Sequence, residues 1–400
     1  TPKKKKKIQH TGTMFVSCKV SSKLPVFINK LQHLKYSTRT AAWQISSYGG
    51  LEELQFNDNV KVPVLKPKDV LVEMKAVSVN PIDVAMLGGY GNVVLNTLRQ
   101  AESCSMESNV EFPLILGRDF CGKVVAKGPG VDNLKLDDIV YGVIEPHKQG
   151  SFSKLILANS SLVHRKPSNI SDVEAAGVLY TGLTAWSALQ ITAALGLIYS
   201  RDKRVLVLGA SGGVGTIAVQ LLKAWEIEVV ATCSEQAKEL VNSLNPNLII
   251  DYNEPDSMHD IAGAGPYDVI LDAAGIPLDQ INSYLPFLKT GKFSKFVTLR
   301  SPFLKNTDSL GLIPGLIQNA VDLLKSNFQS GELCKTNTIR WGFFMPIPYA
   351  VKEINKFIES GLIKPVIDST YTFCDLPKVF EKVQQGHLRG KIIVQAESKA

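Results

Sequence analysis

Ala210, Gly212 and Gly215 stand in the run RVLVLGASGGVGTIAVQLLKAW at the spacing of the dinucleotide-binding fingerprint G-x-G-x-x-G, with Ala in the first position. Each position has a physical task. The chain must turn sharply after Leu208. Without a Cβ, Gly212 lets a pyrophosphate approach the backbone, and Gly215 lets the helix pack close on the strand. The first-turn N–H groups, those near Gly213 and Val214 among them, then face the phosphates with the helix dipole behind them. The run follows an apolar strand, opens a long helix and precedes a second strand, the context that separates the fingerprint from a structural glycine turn.

That second strand ends at Thr232–Cys233–Ser234. An NAD enzyme usually places Asp or Glu there to hold the ribose 2′-hydroxyl. Ser234 is neutral and small and leaves room for a 2′-phosphate, with Lys238 and Tyr252 placed to hold it. A carboxylate pressed against that phosphate would cost up to ~4 kcal/mol. Glu235 would impose this cost if its side chain turned inward, and a solvated helix residue is the other reading of Lys238. These residues predict NADPH.

Other chemistries find little support. The cysteines Cys18, Cys104, Cys121, Cys233, Cys334 and Cys374 form no C-x-x-C pair, so neither a zinc knuckle nor a disulfide framework is indicated. No Ser/His/Asp triad pattern or paired-carboxylate motif appears. The net charge of +7 is concentrated at the start, where Lys and Arg abound and the first acidic residue is Glu52. The remainder is slightly acidic and gives no reason to expect nucleic-acid binding. No apolar run is long enough to predict a membrane span.

The elements that must position these residues are of two kinds. Val70 to Val79, Cys121 to Ala126, Ile139 to Val143 and Ser153 to Leu157 are short strands separated by Gly, Pro and Asn/Asp, as in an open barrel or a partly orthogonal β structure. After helical character from Asp172 to Leu189, strand and helix alternate. Arg204 to Leu208, Glu228 to Cys233, Leu248 to Asp251, Val269 to Asp272 and Phe296 to Leu299 are strands; Val214 to Trp225 and Glu235 to Leu244 are helices. This is the rhythm of a doubly wound parallel sheet. Val351 to Ser360 is an amphipathic helix and Lys391 to Val394 a last strand. Gly91 to Phe112 reads as a polar surface loop, an insertion that is either a lid or inert. Phe303 to Ile339 is a second insertion with amphipathic stretches.

The basic, acid-free leader is dotted with Ser and Thr, the composition of an organelle transit peptide. Phe15, Val16, Val20, Leu24, Phe27, Ile28, Leu31 and Leu34 would supply the apolar face of an import helix. Mitochondrial targeting is expected. A disordered basic arm is the alternative, and for Lys3 to Lys7 a nuclear-type or artefactual run.

Taken together, VNPID (Val79 to Asp83) with Gly89–Tyr90–Gly91, PLILGRDFCG (Pro113 to Gly122), GPGVDNLKLDDIVYG (Gly128 to Gly142), LTAWSAL (Leu183 to Leu189), the glycine loop and GHLRGKIIV (Gly386 to Val394) resemble the quinone-reductase branch of the medium-chain dehydrogenase/reductase superfamily. The resemblance runs from about Ala41 to Ala396. It is strongest to a mitochondrial, reticulon-interacting branch, on segments such as HKQGSFSKLILA, SPFLKNTDSLG and IRWGFFM. It implies an α/β fold, a Rossmann doubly wound parallel sheet plus a GroES-like β-rich catalytic domain. The leader would span 1–40, the catalytic domain 41–170 and 346–400, and the Rossmann domain 171–345. It also implies an NADPH-dependent matrix enzyme linked to ubiquinone biosynthesis, a reticulon-type or quinone-pathway protein partner, and a monomer or homodimer.

By position, the resemblance implies that Ser211, Gly212, Gly213, Val214 and Gly215 meet the pyrophosphate, and Ser234, Lys238 and Tyr252 the adenosine phosphate. Asp272 to Gly275 and Leu299 would lie at the cleft, Phe343 and Phe344 at the nicotinamide half, and His387, Leu388 and Arg389 would close the site. Zinc-bearing members carry Cys at Val79–Asn80–Pro81 and Gly-His-Glu at Gly117–Arg118–Asp119, so metal-free chemistry is implied. Hydride would pass from the cofactor to a quinone-like or enone acceptor. Tyr90 and Asn80, in the cleft-lining segment, are the candidates to serve the acceptor oxygen, with a packed tyrosine and a strand-ending Asn as the alternatives. An enoyl-thioester reductase and a non-catalytic NADPH-binding scaffold are the competing functions.

Overall fold

The computed structural model describes residues 39–104, 111–197, 202–290, 294–329 and 338–396. The leader's expected import helix lies outside them. β1 (Arg39–Gln44) and β2 (Gln55–Lys61) form a small antiparallel pair. β3 (Asp69–Val79), β4 (Asp119–Lys127), β5 (Ile139–Val143), β6 (Leu155–Asn159) and β7 (Val163–Arg165) follow. β8 (Arg204–Leu208), β9 (Glu228–Cys233), β10 (Leu248–Asp251), β11 (Val269–Asp272), β12 (Lys295–Thr298) and β13 (Thr338–Trp341) come next. Then come β14 (Ile367–Thr372) and β15 (Lys391–Gln395).

β8 to β13 build a six-stranded parallel sheet in the order β10-β9-β8-β11-β12-β13. Its central strands are apolar along their length because helices cover both faces: every residue of β11 and all but the first of β8 are buried. The order reverses between β8 and β11, so the crevice beyond their carboxyl ends is the place where such sheets bind ligands. The other sheet runs β14-β15-β3-β4-β5-β7, with β6 also paired to β3. Within it β15 lies parallel to β14 and antiparallel to β3.

Two local readings of the sequence need correction. The segment from Gly91 is not a loop: Asn92–Ser103 is a helix. Its N-terminus is capped from far away, because Asp308 accepts the Gly91 N–H at 2.6 Å and the Val93 N–H at 3.2 Å. Asp308 belongs to the helix Phe303–Leu310, which precedes the longer helix Leu312–Gln329. The two insertions therefore pack together. The tight turn after β8 is made by Gly209, at φ +77°, and not by Ala210. A Cβ on Gly209 would lie 2.9 Å from the backbone of Ala274, so both the dihedral and the space demand glycine.

Candidate functional site

The glycine loop leads into the helix Gly213–Ala224, whose N-cap is Gly212 and which no side chain caps. A Cβ on Gly212 would have Gly209 O, 3.6 Å away, as its nearest neighbour, so its outer face is open. A Cβ on Gly215 would fall 2.1 Å from Gly209 O, which is the close helix–strand approach that glycine permits here. An uncapped helix start behind an open glycine fits a pyrophosphate. Val214 packs against the core. Ser211 O accepts the Gly390 N–H at 3.0 Å, and Gly212 bridges to Gly390, so the closing segment is sewn to the loop. His387 and Arg389 are exposed beside it, with His387 at φ +56°, and Leu388 leans on the core of the first sheet.

At the end of β9, Ser234 is half-buried and Tyr252 is 52% exposed, its N–H bonded to Cys233 O at 3.2 Å. Lys238 is exposed and turned to Glu235, 3.1 Å away. Glu235 is thus not directed inward, but it competes for the cation expected to meet the adenosine phosphate. Asp272 is buried and committed to structure. Its Oδ1 accepts the N–H groups of Ala274, Gly275 and Ile276, and its Oδ2 the Thr298 hydroxyl at 2.7 Å. These bonds shape the turn at the crevice. Leu299 N–H bonds to Asp272 O, and the Leu299 side chain approaches Gly342. Phe344 stacks on Tyr180 with ring centroids 4.4 Å apart, and Phe343 meets Phe303 edge-on at 5.5 Å.

The two candidates in VNPID…GYG separate. Tyr90 is half-buried, and burial and the nearby Asp308 carboxylate push its phenol pKa up. It follows the helix Pro81–Leu87, which Asn80 and Asp83 cap reciprocally. Asn80 is fully buried and its amide is spent. It accepts from Lys391 Nζ and donates to Ser78 Oγ at 3.2 Å and Asp119 Oδ2 at 3.3 Å. As the structure stands, Asn80 therefore braces neighbouring groups with its whole amide. Behind it, Asp83 accepts the Gly117 N–H at 3.0 Å and lies 3.7 Å from Arg118 Nε, both side chains fully buried. Burial pushes the Asp83 carboxyl up to about 6 against the pull of Arg118.

Sequence reasoning missed Ser78, Asp119, Tyr180 and Lys391. The signal available was Lys391 itself, a lysine placed before the apolar run Ile392–Val394 in the closing motif. A separate cavity of about 750 Å³ lies elsewhere, lined by Val62, Val64, Lys66, His147 and Leu155 among others, and none of the residues above line it. The crevice at the carboxyl ends of β8 and β11, where the glycine loop begins, is the better candidate.

Residues 66–168 match the alcohol dehydrogenase GroES-like domain, and residues 246–394 the zinc-binding dehydrogenase family. The chain is 42% identical over 371 residues, 90% of its length and 87% of the relative's, to the Drosophila melanogaster protein named NAD(P)H oxidoreductase RTN4IP1, mitochondrial. The chain belongs to the medium-chain dehydrogenase/reductase superfamily. A further similarity, 29% over 88% of this chain and 78% of the other, is to the Arabidopsis thaliana protein named NADPH-dependent alkenal/one oxidoreductase, chloroplastic. Among solved structures, the quinone oxidoreductase from Coxiella burnetii covers 90% of this superfamily member and 100% of its own chain, at a TM-score of 0.70 and 21% identity, a likeness of fold.

Proposed function

We propose that this protein is an NADPH-dependent oxidoreductase that passes hydride to a quinone-like or enone acceptor without zinc. The observation that carries the reading is the uncapped helix start behind Gly212, where a Cβ on Gly213 would lie 3.3 Å from Thr181, the neighbour of Tyr180 in the Tyr180–Phe344 stack. When bound, the nicotinamide supplies the hydride. The chain's own residues do the rest. Ser211 to Gly215 hold the pyrophosphate through backbone N–H groups. Ser234 and Tyr252 receive the adenosine phosphate, and Lys238 exchanges Glu235 for it. Leu299, Phe343 and Phe344 wall the nicotinamide half, and His387, Leu388 and Arg389 close over it. Tyr90 donates the proton to the acceptor oxygen, since a phenol is protonated at neutral pH. The aromatic, apolar wall suits a flat conjugated acceptor, and the name of the plant relative supports the enone class.

A zinc ion does not fit among these side chains. Asn80, Arg118 and Asp119 stand at the positions of the zinc ligands in the resemblance, and two cations, Lys391 and Arg118, already face the carboxylates of Asp119 and Asp83. Among the described residues no group of three or more His, Cys, Asp or Glu is placed to hold a metal. A +2 ion beside a buried ammonium and guanidinium would be repelled, not ligated.

The test is calorimetric titration with NADPH and NADH, followed by cofactor oxidation against quinones, enones and an enoyl thioester. Tight NADPH binding with turnover of quinones or enones is expected. Turnover confined to the thioester, or binding with no turnover, would return the protein to the fatty-acyl or scaffold reading, the latter with a reticulon-type or quinone-pathway partner. The basic leader and the names of the relatives support a mitochondrial address. The matrix location and the link to ubiquinone biosynthesis are part of the same proposal, the first checked by import of a reporter fused behind residues 1–40 and the second by the ubiquinone content of cells lacking the protein. Among the described residues no helix is long and apolar enough to cross a membrane.

A further inference from the structure

One side chain joins the cofactor loop to the acceptor wall, and the mechanism above leaves it without a task. Lys391 begins β15, and its side chain is 6% exposed. Its stem runs beside the glycine loop: a Cβ on Gly213 would lie 3.1 Å from Lys391 Cδ and 3.3 Å from Thr181 Cγ2. Its ammonium donates to Asn80 Oδ1 and reaches Asp119 Oδ2 at 3.5 Å. Asp119 is held by three more donors, one of them the Asn80 amide at 3.3 Å. Its Oδ2 accepts the Ser78 hydroxyl at 2.7 Å, and its Oδ1 accepts the Tyr180 N–H at 2.6 Å in the first turn of the helix Leu179–Trp186. Tyr180 is the residue whose ring stacks on Phe344. Ammonium, carboxylate, backbone N–H and stacked rings thus form one unbroken series of contacts.

Packing alone does not call for a charge here. A buried ion pair is often no more stabilising than a hydrocarbon pair of the same volume, while either ion left alone is costly. What the pair supplies is direction. A carboxylate fixed by three donors holds the Tyr180 N–H at a set point and angle, which no apolar contact does. Burial depresses the Lys391 pKa, and the carboxylates of Asp119 and Asp83 oppose that depression.

We propose that Lys391 is a positioning residue that, through Asp119, fixes the Tyr180–Phe344 pair as the wall against which the nicotinamide ring is held. The proposal rests on the reading that the nicotinamide half of NADPH lies at Phe343 and Phe344. It makes the register of that wall depend on a charge supplied from the other sheet.

The test is the fluorescence of bound NADPH, whose dihydronicotinamide brightens when it is held against an apolar wall, measured together with its dissociation constant. Wild type is expected to bind and brighten the cofactor. Lys391→Met is expected to bind NADPH with unchanged affinity, to lose the brightening, and to lose about 100-fold in hydride transfer, the cost of a misplacement near 1 Å. Asp119→Asn is expected to do the same, and the double variant to be no worse than the poorer single, because both act through one contact. Should a single variant fail to fold with its partner ion stranded, the double variant, which removes both charges, carries the test and is expected to lack the brightening. Retained brightening in Lys391→Met or in the double variant, additive losses, or a collapse of NADPH affinity in Lys391→Met would each overturn the proposal. Wild type that binds NADPH without brightening would instead refute the placement of the nicotinamide, and the proposal with it.

Discussion

Replacing Gly212 with Ala should weaken the cofactor without weakening the fold. The backbone there has φ −76° and ψ 170°, which alanine adopts freely. The new methyl would meet nothing nearer than Gly209 O at 3.6 Å, an ordinary contact. A Gly→Ala change at compatible dihedrals gains ~0.4–1 kcal/mol through the unfolded chain, about what Ala loses to Gly at an N-cap, so stability stays near neutral. The same methyl stands on the open face above the uncapped helix start, where the pyrophosphate must approach. Displacing the phosphates breaks two charge-assisted hydrogen bonds, about 3 kcal/mol together. That corresponds to binding about 100-fold weaker. Calorimetry with NADPH, paired with urea unfolding without cofactor, reads both quantities on one sample. A Gly212→Ala variant that kept wild-type affinity would refute the assignment of this face to the phosphates. One that lost stability would refute the open space.

Gly215→Ala is expected to lose both, because its Cβ would fall 2.1 Å from Gly209 O and force the helix off the strand; the cost, ~1–3 kcal/mol for overpacking, appears in the urea midpoint. Tyr90→Phe should lower acceptor reduction about 100-fold or more while leaving NADPH binding intact, as removal of a proton donor does; steady-state kinetics over an acceptor panel decide this. Asp308→Ala should cost about 1 kcal/mol by uncapping the helix Asn92–Ser103, and protease susceptibility of that helix is the readout. Asp83 has its carboxyl raised to about 6 from 3.8, so its protonated form stabilises the fold below 3.8 and that contribution is lost as pH rises through about 6. Wild type should therefore lose stability relative to Asp83→Asn across that window, measured by urea unfolding at a series of pH values.

The parallel sheet is legible because its strands are short, largely apolar runs that alternate with helical pattern. β8, β9, β10 and β11 begin and end where the sequence pattern places them. What escapes such a reading depends on partners distant along the chain. The helix Asn92–Ser103 is amphipathic but starts without a local cap; its cap comes from Asp308, which no local signal near Gly91 reveals. Gly209 and Ala210 are adjacent, and the fingerprint spacing does not say which of them takes the positive φ; the close passage of Ala274 decides it. Asn80 reads as a group facing the acceptor because its segment lines the cleft. Its amide is engaged within the protein, because a buried ammonium from β15 and a carboxylate from β4 claim both of its ends. Lys391 escapes for the same reason: a lone lysine in a strand gains meaning only when Asp119, distant in sequence, is known to face it.

The pairing of β15 with β3 sets the order in which the molecule can be finished. Ala76 to Val79 of β3 have as partners Gln395 to Ile392, and the whole parallel sheet is encoded between them. The first sheet therefore stays incomplete throughout synthesis of the second, with the final residues of β3 presenting unpaired N–H and C=O groups. Contacts of such long sequence separation form slowly, and an unpaired strand end is a template for pairing with another chain. Nascent or interrupted chains of this protein should accordingly depend on chaperones that shield β3, and aggregates formed from them should be seeded at that strand.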